Sequence, residues 1–599
     1  MSTFYPDQLA EPTRLWDLDQ RNKRFVRDDI VMSARWLASV EELNTLAEVI
    51  GVPYRVKHTR EDMKANGFVV DRSKYFKGIE DPWKGNMVEA YKAAGITYID
   101  MCNHSENHAV PNSFNLQILH FLWVLRLVLH LMFVVMMTYV TVSLSSKLWY
   151  LYVCYFRDYT STCPLPPGNL GLPLIGETLP FLLRGRGFFD DRRIESGNVF
   201  KTHLLGKPTI RVIGASNARK IIMSENTLVE SQWPKSIQLL LGDGSLTSSG
   251  GKVHAIRKKA IMRAFTNEAL TGYSLIIQET VQKHIRQWCL DGFIYGYKEF
   301  RSLAFELSCR VLLGFEMDKS EKEYLLSSFE TFMSNLFSLP VCIPGLGLFR
   351  GMKARKTMLK KLEENIHRKL AEGPVLGFTD ALSLIMGVEG REKLDVEEAK
   401  DVSLELLFAG HETTSSAAST LILQLSRNPH VLAKIRHELE ENGLGSASTD
   451  LSIAKINKLK YVHHVVKETL RLSPPIGGGY RRALKTFEVE GYQIPKDWSI
   501  IYSIRDSHET CDVIDEPLQF RPERWDEPDM PNVFHYFPFG GGKKGCVGKE
   551  FAMLMLKIFA IEMSRSCTWN VRNKKPKMNY MPVPHPTDDL PMDINMVLS

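Results

Sequence analysis

A mostly α-helical chain with a small β-rich portion is what the 599-residue sequence predicts, and three observations support that expectation. From Ala218 to Leu472 the apolar residues recur mainly at helical spacing. Strand-like alternation is confined to short stretches, the clearest being Val199 to Val212 (VFKTHLLGKPTIRV), which turns back at Gly206-Lys207. Residues 537–552, FPFGGGKKGCVGKEFA, set one cysteine on a glycine-rich loop that runs into the apolar start of a helix.

Hydrophobic residues make up 44% of the chain and charged residues 24%, the proportions of a globular chain with a large core. A net charge of +6 is too small and too dispersed for a nucleic-acid partner; it suits an anionic membrane surface or an acidic partner. Nine scattered cysteines, none in a C-x-x-C pair, speak against a disulfide framework or a zinc site and for a reducing compartment.

Taken in order, residues 1–115 form a polar segment with no motif, although stretches such as Val40 to Ile50 are helix-like. The first residues lack the apolar run of a secretory leader, and the Asn103-His104-Ser105 sequon is weak evidence by itself. Residues 116–144 read as an apolar membrane anchor, because Leu127 to Leu144 is 18 residues without a formal charge. A buried core helix is the competing reading, disfavoured because no amphipathic face is visible. Residues 145–176 form an aromatic and Pro-rich spacer, with Trp149, Tyr150, Tyr152, Tyr155 and Phe156 like an interfacial belt and CPLPPGNLGLPLIG after them. Lys147 and Arg157 favour a cytoplasmic C-terminal side, with residues 1–115 either translocated or left cytosolic beside a segment lying in the interface. Residues 177–599 are the folded body.

The longest helix of that body runs from about Asp395 to Arg427, opened by a capping box of Asp395 and Glu398 and closed at Asn428-Pro429. Its middle, Ala409-Gly410-His411-Glu412-Thr413, is a poor helix interior. A local widening that turns the Thr413 hydroxyl from its own backbone towards a ligand would explain it; so would a tolerated kink. Glu468 and Arg471 share one helix face, and Arg524 is a further partner if the pair is buried. Cys546, at a helix start beside Lys543 and Lys544, is biased towards thiolate. A thiolate on such a loop can ligate a haem iron; taken alone, the motif is more often a buried cysteine behind a glycine turn.

Together, A-G-x-E-T at 409–413, E-x-x-R at 468–471, P-E-R-W at 522–525 and F-x-x-G-x-x-x-C-x-G at 539–548 resemble a cytochrome P450 in order and spacing, over about residues 160–597. The finer resemblance is to its retinoic-acid hydroxylases, family 26, in strings such as KTHLLGKPTIRVIGA at 201–215, KKAIMRAF at 258–265, ELLFAGHETTSSAAS at 405–419 and CVGKEFA at 546–552. The resemblance implies the cytochrome P450 haem-thiolate fold, tethered to the endoplasmic reticulum membrane with the catalytic domain, 177–599, in the cytosol. It implies haem b (iron protoporphyrin IX), with Cys546 as the axial iron ligand. Thr413 and Glu412 would relay protons to dioxygen. Arg481, His254 and Lys258 would meet the haem propionates as cations, beside Phe539 and Lys544 of the loop. Lys544 stands where the family usually has arginine, so a bidentate contact becomes a point charge. Glu468, Arg471 and Arg524 would be structural.

For the substrate, a small lipophilic acid, the resemblance points to Trp233, Phe337, Phe408, Pro475, Ile476, Gly477, Gly478 and Thr587, with Arg211 as the cation for its carboxylate. The implied reaction is 4-hydroxylation of all-trans retinoic acid, with electrons from NADPH-cytochrome P450 reductase docking on Lys543, Lys544 and Lys549. A hydroxylase of a sterol or another isoprenoid, and a non-catalytic haem protein that binds a lipophilic ligand, remain the alternatives.

Overall fold

A computed structural model describes residues 113–597 apart from 156, 174, 243, 373–378, 388–393 and 528–533, with side chains from Leu122 onward; the Val40–Ile50 stretch and the Asn103 sequon lie outside these. The chain divides into two units between Val135 and Met136. What is described of the first is the apolar start of helix α1 (Ser113–Tyr155), whose stretch Leu122–Tyr155 is long and apolar enough to cross a membrane, its most apolar 18 residues being unburied. The helix does not stop at Leu144. It continues through Tyr155 because no glycine or proline interrupts residues 145–155, so the first part of the expected spacer is helical.

In the second unit, Val153 is buried in a cluster with Leu170 and Val199, and Trp149 meets the His203 ring edge-on. The Pro-rich stretch is pinned: Lys201 Nζ donates to Pro166 O at 2.7 Å, and Gln493 Nε2 donates to Cys163 O at 2.5 Å.

The helices used below are α2 (Arg186–Ser196), α3 (Gly251–Met262), α4 (Asn267–Asp291), α5 (Gly296–Leu307), α6 (Gly347–Glu372), α7 (Val396–Arg427), α8 (Lys460–Leu472), α9 (Arg505–Glu509) and α10 (Lys549–Ser566). The largest sheet joins β1 (Val199–Leu204), β2 (Lys207–Val212), β3 (Val229–Ser231), β5 (Gly478–Ala483) and β8 (Ser499–Ser503) in the order β1-β2-β8-β5-β3, with β2 and β8 parallel and the other pairs antiparallel. The β1–β2 hairpin has Leu204 opposite Lys207, the turn read from Gly206-Lys207. A second sheet, β4 (Phe293–Tyr295), β12 (Pro591–Met596) and β9 (Cys567–Val571), joins the C-terminal strands to the end of α4. Two ribbons complete the strands: β6 (Phe487–Val489) with β7 (Tyr492–Ile494), and β10 (Met578–Asn579) with β11 (His585–Pro586).

The core lies among α4, α5, α7, α8 and α10. Helix α10 is buried almost all round, so its sequence shows no polar face. Helix α7 begins as read: Asp395 accepts the Glu398 N–H at 2.7 Å, and the Glu398 carboxylate accepts the Asp395 N–H at 3.3 Å. Through Gly410 to Thr414 it stays a regular α-helix, and the expected widening is absent. The irregularity sits in a neighbour: Ser308–Leu313, the continuation of α5, is a π-helix packed on α7. A Cβ on Gly410 would lie 2.7 Å from Ser308 Oγ and 3.2 Å from Leu312 Cδ1, so the glycine admits this close crossing.

Gly410→Ala is therefore expected to destabilise the fold by about 1–3 kcal/mol. Ser308→Ala should restore most of that loss, since Ser308 Oγ has no hydrogen-bond partner and the Ser308 Cβ would lie at an ordinary 3.7 Å. Denaturant midpoints of the single and double variants decide it; a double variant as weak as Gly410→Ala would exclude the clash.

Candidate functional site

The cysteine loop is held from three sides. Gly540 (φ 67°) and Gly542 (φ 59°) take left-handed conformations, and a Cβ on Gly542 would lie 2.9 Å from Ile222 O. Cys546 N–H donates to Phe539 O at 3.0 Å, closing the loop on itself. Lys258, on α3, donates from Nζ to Lys543 O at 2.9 Å and Gly545 O at 3.0 Å. The Cys546 side chain is open to solvent on one side and packed in protein on the others. That packing pushes its thiol above the ordinary value, against the Gly548 N–H, Lys258 and Lys549. The bias to thiolate read from the two flanking lysines is thus reversed in the protein alone; coordination to a cationic metal is what deprotonates such a thiol.

Basic groups converge beside the loop. Lys258 and Lys544 both act on His254, while Arg481 and Lys258 act on Lys544. Burial first, then these two lysines, push His254 down to about 4, so it is a neutral hydrogen-bonding ring and not the cation expected from sequence. Arg481 lies 2.8 Å from Glu225 Oε2, and Lys544 donates to Ser249 O at 2.7 Å. Glu225 and, on Lys544, Glu405 offset part of this charge, and carboxylates of a bound group would offset the rest.

Across α7, Phe408 and Thr413 are half-buried and Ala409 is exposed in the middle of an otherwise buried helix. The thiol, the basic cluster and this small-residue face of α7 fit a haem: an axial sulfur donor, partners for two propionates, and a surface a flat macrocycle can cover. Thr413 Oγ1 donates to Ala409 O at 2.6 Å, bonded back to its own helix where the sequence reading turned it away.

Glu412 is buried and engaged. Arg301 donates to Oε1 at 2.7 Å, Tyr297 donates to Oε2 at 3.0 Å, and the Tyr297 ring stacks on His585 at 4.8 Å. Although burial opposes it, contacts with His411 and Arg301 hold the carboxyl at about 2. Glu412 is therefore an anion committed to α5. Neither Tyr297 nor Arg301 carries a sequence signal, because both lie more than a hundred residues from Glu412 and meet it through the α5–α7 crossing.

Beneath the loop, the structure brings Glu468, Arg471 and Arg524 together. All three are buried. Arg471 donates to both Glu468 oxygens at 2.9 Å, Arg524 Nε donates to Oε1 at 2.9 Å, and Trp525 Nε1 and the Arg521 N–H add bonds at 3.2 and 3.1 Å. His508 links this cluster to the loop: its Nδ1–H donates to Arg471 O at 3.0 Å and its Nε2 accepts the Phe537 N–H at 3.1 Å.

Burial pushes His508 down to about 3. An unfolded histidine takes its proton near 6.5, so stability present above pH ~6.5 is lost at roughly 1.4 kcal/mol per unit as pH falls towards 3. Denaturation midpoints are expected to be level from pH 8 to about 7 and to decline below about 6.5. His508→Gln should make the decline shallower; a profile that overlays the parent's would show that His508 stays protonatable in the fold.

The expected substrate contacts divide. Trp233, tilted on Tyr480 at 5.8 Å, Phe337 and Phe408 lie half-buried at the margin of the main core. Pro475 is buried, Ile476 is 37% exposed, and the Gly477 carbonyl accepts the Ile504 N–H at 2.9 Å. A Cβ at Gly478 would lie 2.2 Å from Tyr502 O, which makes this glycine a requirement of the β5–β8 pairing.

Two further expected contacts, Thr587 and Arg211, have partners within the protein. Thr587 is exposed, its N–H donating to Lys577 O at 2.9 Å; Val583, four residues before it, is buried in a turn tied to α7 by the Ser416 hydroxyl donating to Pro584 O at 2.5 Å. Arg211 donates to Asp506 Oδ2 at 2.6 Å and lies over the Phe189 ring at 4.2 Å, so its charge is already matched by an aspartate. Of the loop lysines, Lys543 and Lys549 are exposed while Lys544 is half-buried on Ser249.

The family model described as cytochrome P450 matches residues 166–588. The chain is 45% identical over 457 residues to cytochrome P450 26A1 of Gallus gallus, covering 74% of this chain and 93% of that protein. It is 42% identical over 478 residues to cytochrome P450 26C1 of Homo sapiens, covering 75% and 92% respectively. Among solved structures, retinoic acid bound cyanobacterial CYP120A1 superposes with a TM-score of 0.68 at 32% identity, over 73% of this chain and all of that one.

Proposed function

Because this chain belongs to the cytochrome P450 proteins, and among them to family 26, we propose that this monooxygenase hydroxylates all-trans retinoic acid at ring carbon 4, the first step of its removal. The observation that supports it most is the 41–45% identity to 26A1, 26B1 and 26C1 proteins over 90–93% of their lengths. The fold likeness to a retinoic acid bound protein points the same way.

The haem, taken as haem b, supplies activation of dioxygen and insertion of one of its atoms into a C–H bond. The chain's own residues do the rest. Cys546 would hold the iron through its sulfur, on a loop that its bond to Phe539 O and the Lys258 contacts keep in one shape. Arg481, His254, Lys258 and Lys544 would receive the propionates, His254 as a neutral donor. Thr413 Oγ1 spends its own hydrogen on Ala409 O and so presents lone pairs to a water that carries protons in. Glu412 enters this relay as a carboxylate, taking and returning a proton only when Arg301 moves aside. Trp233, Phe337, Phe408, Pro475, Ile476 and the turn at Val583 shape an apolar channel that excludes water. The endoplasmic reticulum is the assigned membrane, with α1 as anchor. NADPH-cytochrome P450 reductase is the proposed electron donor, docking on the exposed Lys543 and Lys549.

The test is turnover of all-trans retinoic acid by the membrane-expressed chain with NADPH, reductase and dioxygen, with the hydroxylated product identified by mass and fragmentation. A hydroxylated retinoid supports the reading. A normal thiolate-type CO spectrum with no retinoid product, but with an oxidised sterol or other isoprenoid, would overturn it.

A further inference from the structure

Arg505, at the start of α9, is a buried cation that the protein leaves largely without a partner. It is 8% exposed. Its Nη2 donates to Pro474 O at 3.2 Å, its buried Nε has no acceptor, and among the described residues no carboxylate lies within ion-pair distance of its guanidinium. The arginines around it are matched: Arg211 is bonded to Asp506 at 2.6 Å, and Arg186, on α2, is paired with Glu509 and, at 3.2 Å, with Asp190. Burial, and then the charge of Arg186, push the Arg505 guanidinium below its ordinary value against the weaker pull of Tyr580, Asp506 and Glu509. An anion arriving there meets a cation already stripped of water.

The position is specific. The guanidinium lies over the Tyr580 ring at 4.6 Å, and a Cβ on Gly477 would sit 3.3 Å from Nη2 and 3.5 Å from Nη1. Arg505 thus stands beside Tyr580 and the turn Pro474–Gly477, and on the Gly477 side no Cβ covers its Nη1 and Nη2. A planar guanidinium with free donors is suited to bidentate binding of a carboxylate.

We propose that Arg505, in place of Arg211, receives the carboxylate of the acidic substrate and thereby selects acids over neutral isoprenoids. The proposal rests on the retinoid reading above. Spectral titration of the full-length, haem-loaded protein with all-trans retinoic acid and with its methyl ester tests it, the ester having the same polyene but no charge. Arg505→Gln is expected to weaken binding of the acid roughly 10–100-fold, the worth of a charge-assisted hydrogen bond, with ester binding unchanged. Arg505→Lys should keep most of the preference for the acid.

Equal losses for acid and ester would overturn the proposal and leave Arg505 a structural residue, as would loss of acid binding in Arg211→Gln with none in Arg505→Gln. If Arg505→Gln fails to keep a normal CO spectrum, Arg505→Lys decides: a few-fold loss confined to the acid supports the proposal, and the same change for the ester overturns it. A parent protein that binds neither ligand overturns the retinoid reading, and this proposal with it; a parent that binds both tightly leaves that reading standing whichever way Arg505 falls.

Discussion

Cys546→Ala is expected to abolish both the thiolate-type ferrous-CO band and all monooxygenase turnover. The sulfur is the strong electron donor to the iron in this family's chemistry, and neither alanine nor a water in its place supplies that density. Among the described residues no other cysteine sits on this loop: Cys309, Cys511 and Cys567 are buried, Cys154, Cys163 and Cys289 are half-buried elsewhere, and the other exposed one, Cys342, lies in a separate loop. Cys342→Ser is therefore the matched control and should keep the full band. Near-ultraviolet circular dichroism should show Cys546→Ala still folded, because Gly540, Gly542 and the Lys258 contacts shape the loop through backbone atoms that the substitution leaves alone. An intact thiolate band in Cys546→Ala would mean that the iron ligand has been misassigned.

Glu468→Gln should give the largest loss of stability, about 3–5 kcal/mol, although the new side chain has the same shape. The carboxylate accepts from Arg471, Arg524, Trp525 and the Arg521 backbone. An amide removes the only charge facing two fully buried guanidinium groups, and its NH2 points a donor at donors. The consequence should reach the cysteine loop, because His508 bonds Arg471 O on one side and the Phe537 N–H on the other. Denaturant unfolding of the haem-loaded protein, followed by the decay of its CO band, is the measurement. A shift below about 1 kcal/mol would place the cluster with surface ion pairs, which contribute little.

The motifs were legible because their chemistry is local. The cysteine loop needs glycines at fixed offsets from its thiol, the capping box of α7 lies within four residues, and Glu468 and Arg471 share a helix face. Their order and spacing carried the resemblance to a cytochrome P450, which implies the helical haem-thiolate fold, and longer strings such as residues 201–215 and 405–419 carried the resemblance to family 26. The long apolar stretch was equally plain, although its helix runs on to Tyr155 because nothing in residues 145–155 breaks it.

What sequence left undecided was the state of side chains whose partners come from distant elements. The glycine of α7 reads as a defect until the π-helix at Ser308–Leu313 is found pressed against it. Glu412 looks like a free acid until α5 delivers Tyr297 and Arg301 to it. His254 looks like a cation until burial and two lysines take its proton. Arg211 and Arg505 cannot be ranked from the chain: the same α9 that leaves Arg505 without a carboxylate brings Asp506 to Arg211, through the parallel pairing of β2 with β8. Local spacing along the sequence determined which residues can do this chemistry. Burial and long-range pairing, which depend on how the helices and sheet close on one another, decided their charge, their partners and which of them face a ligand.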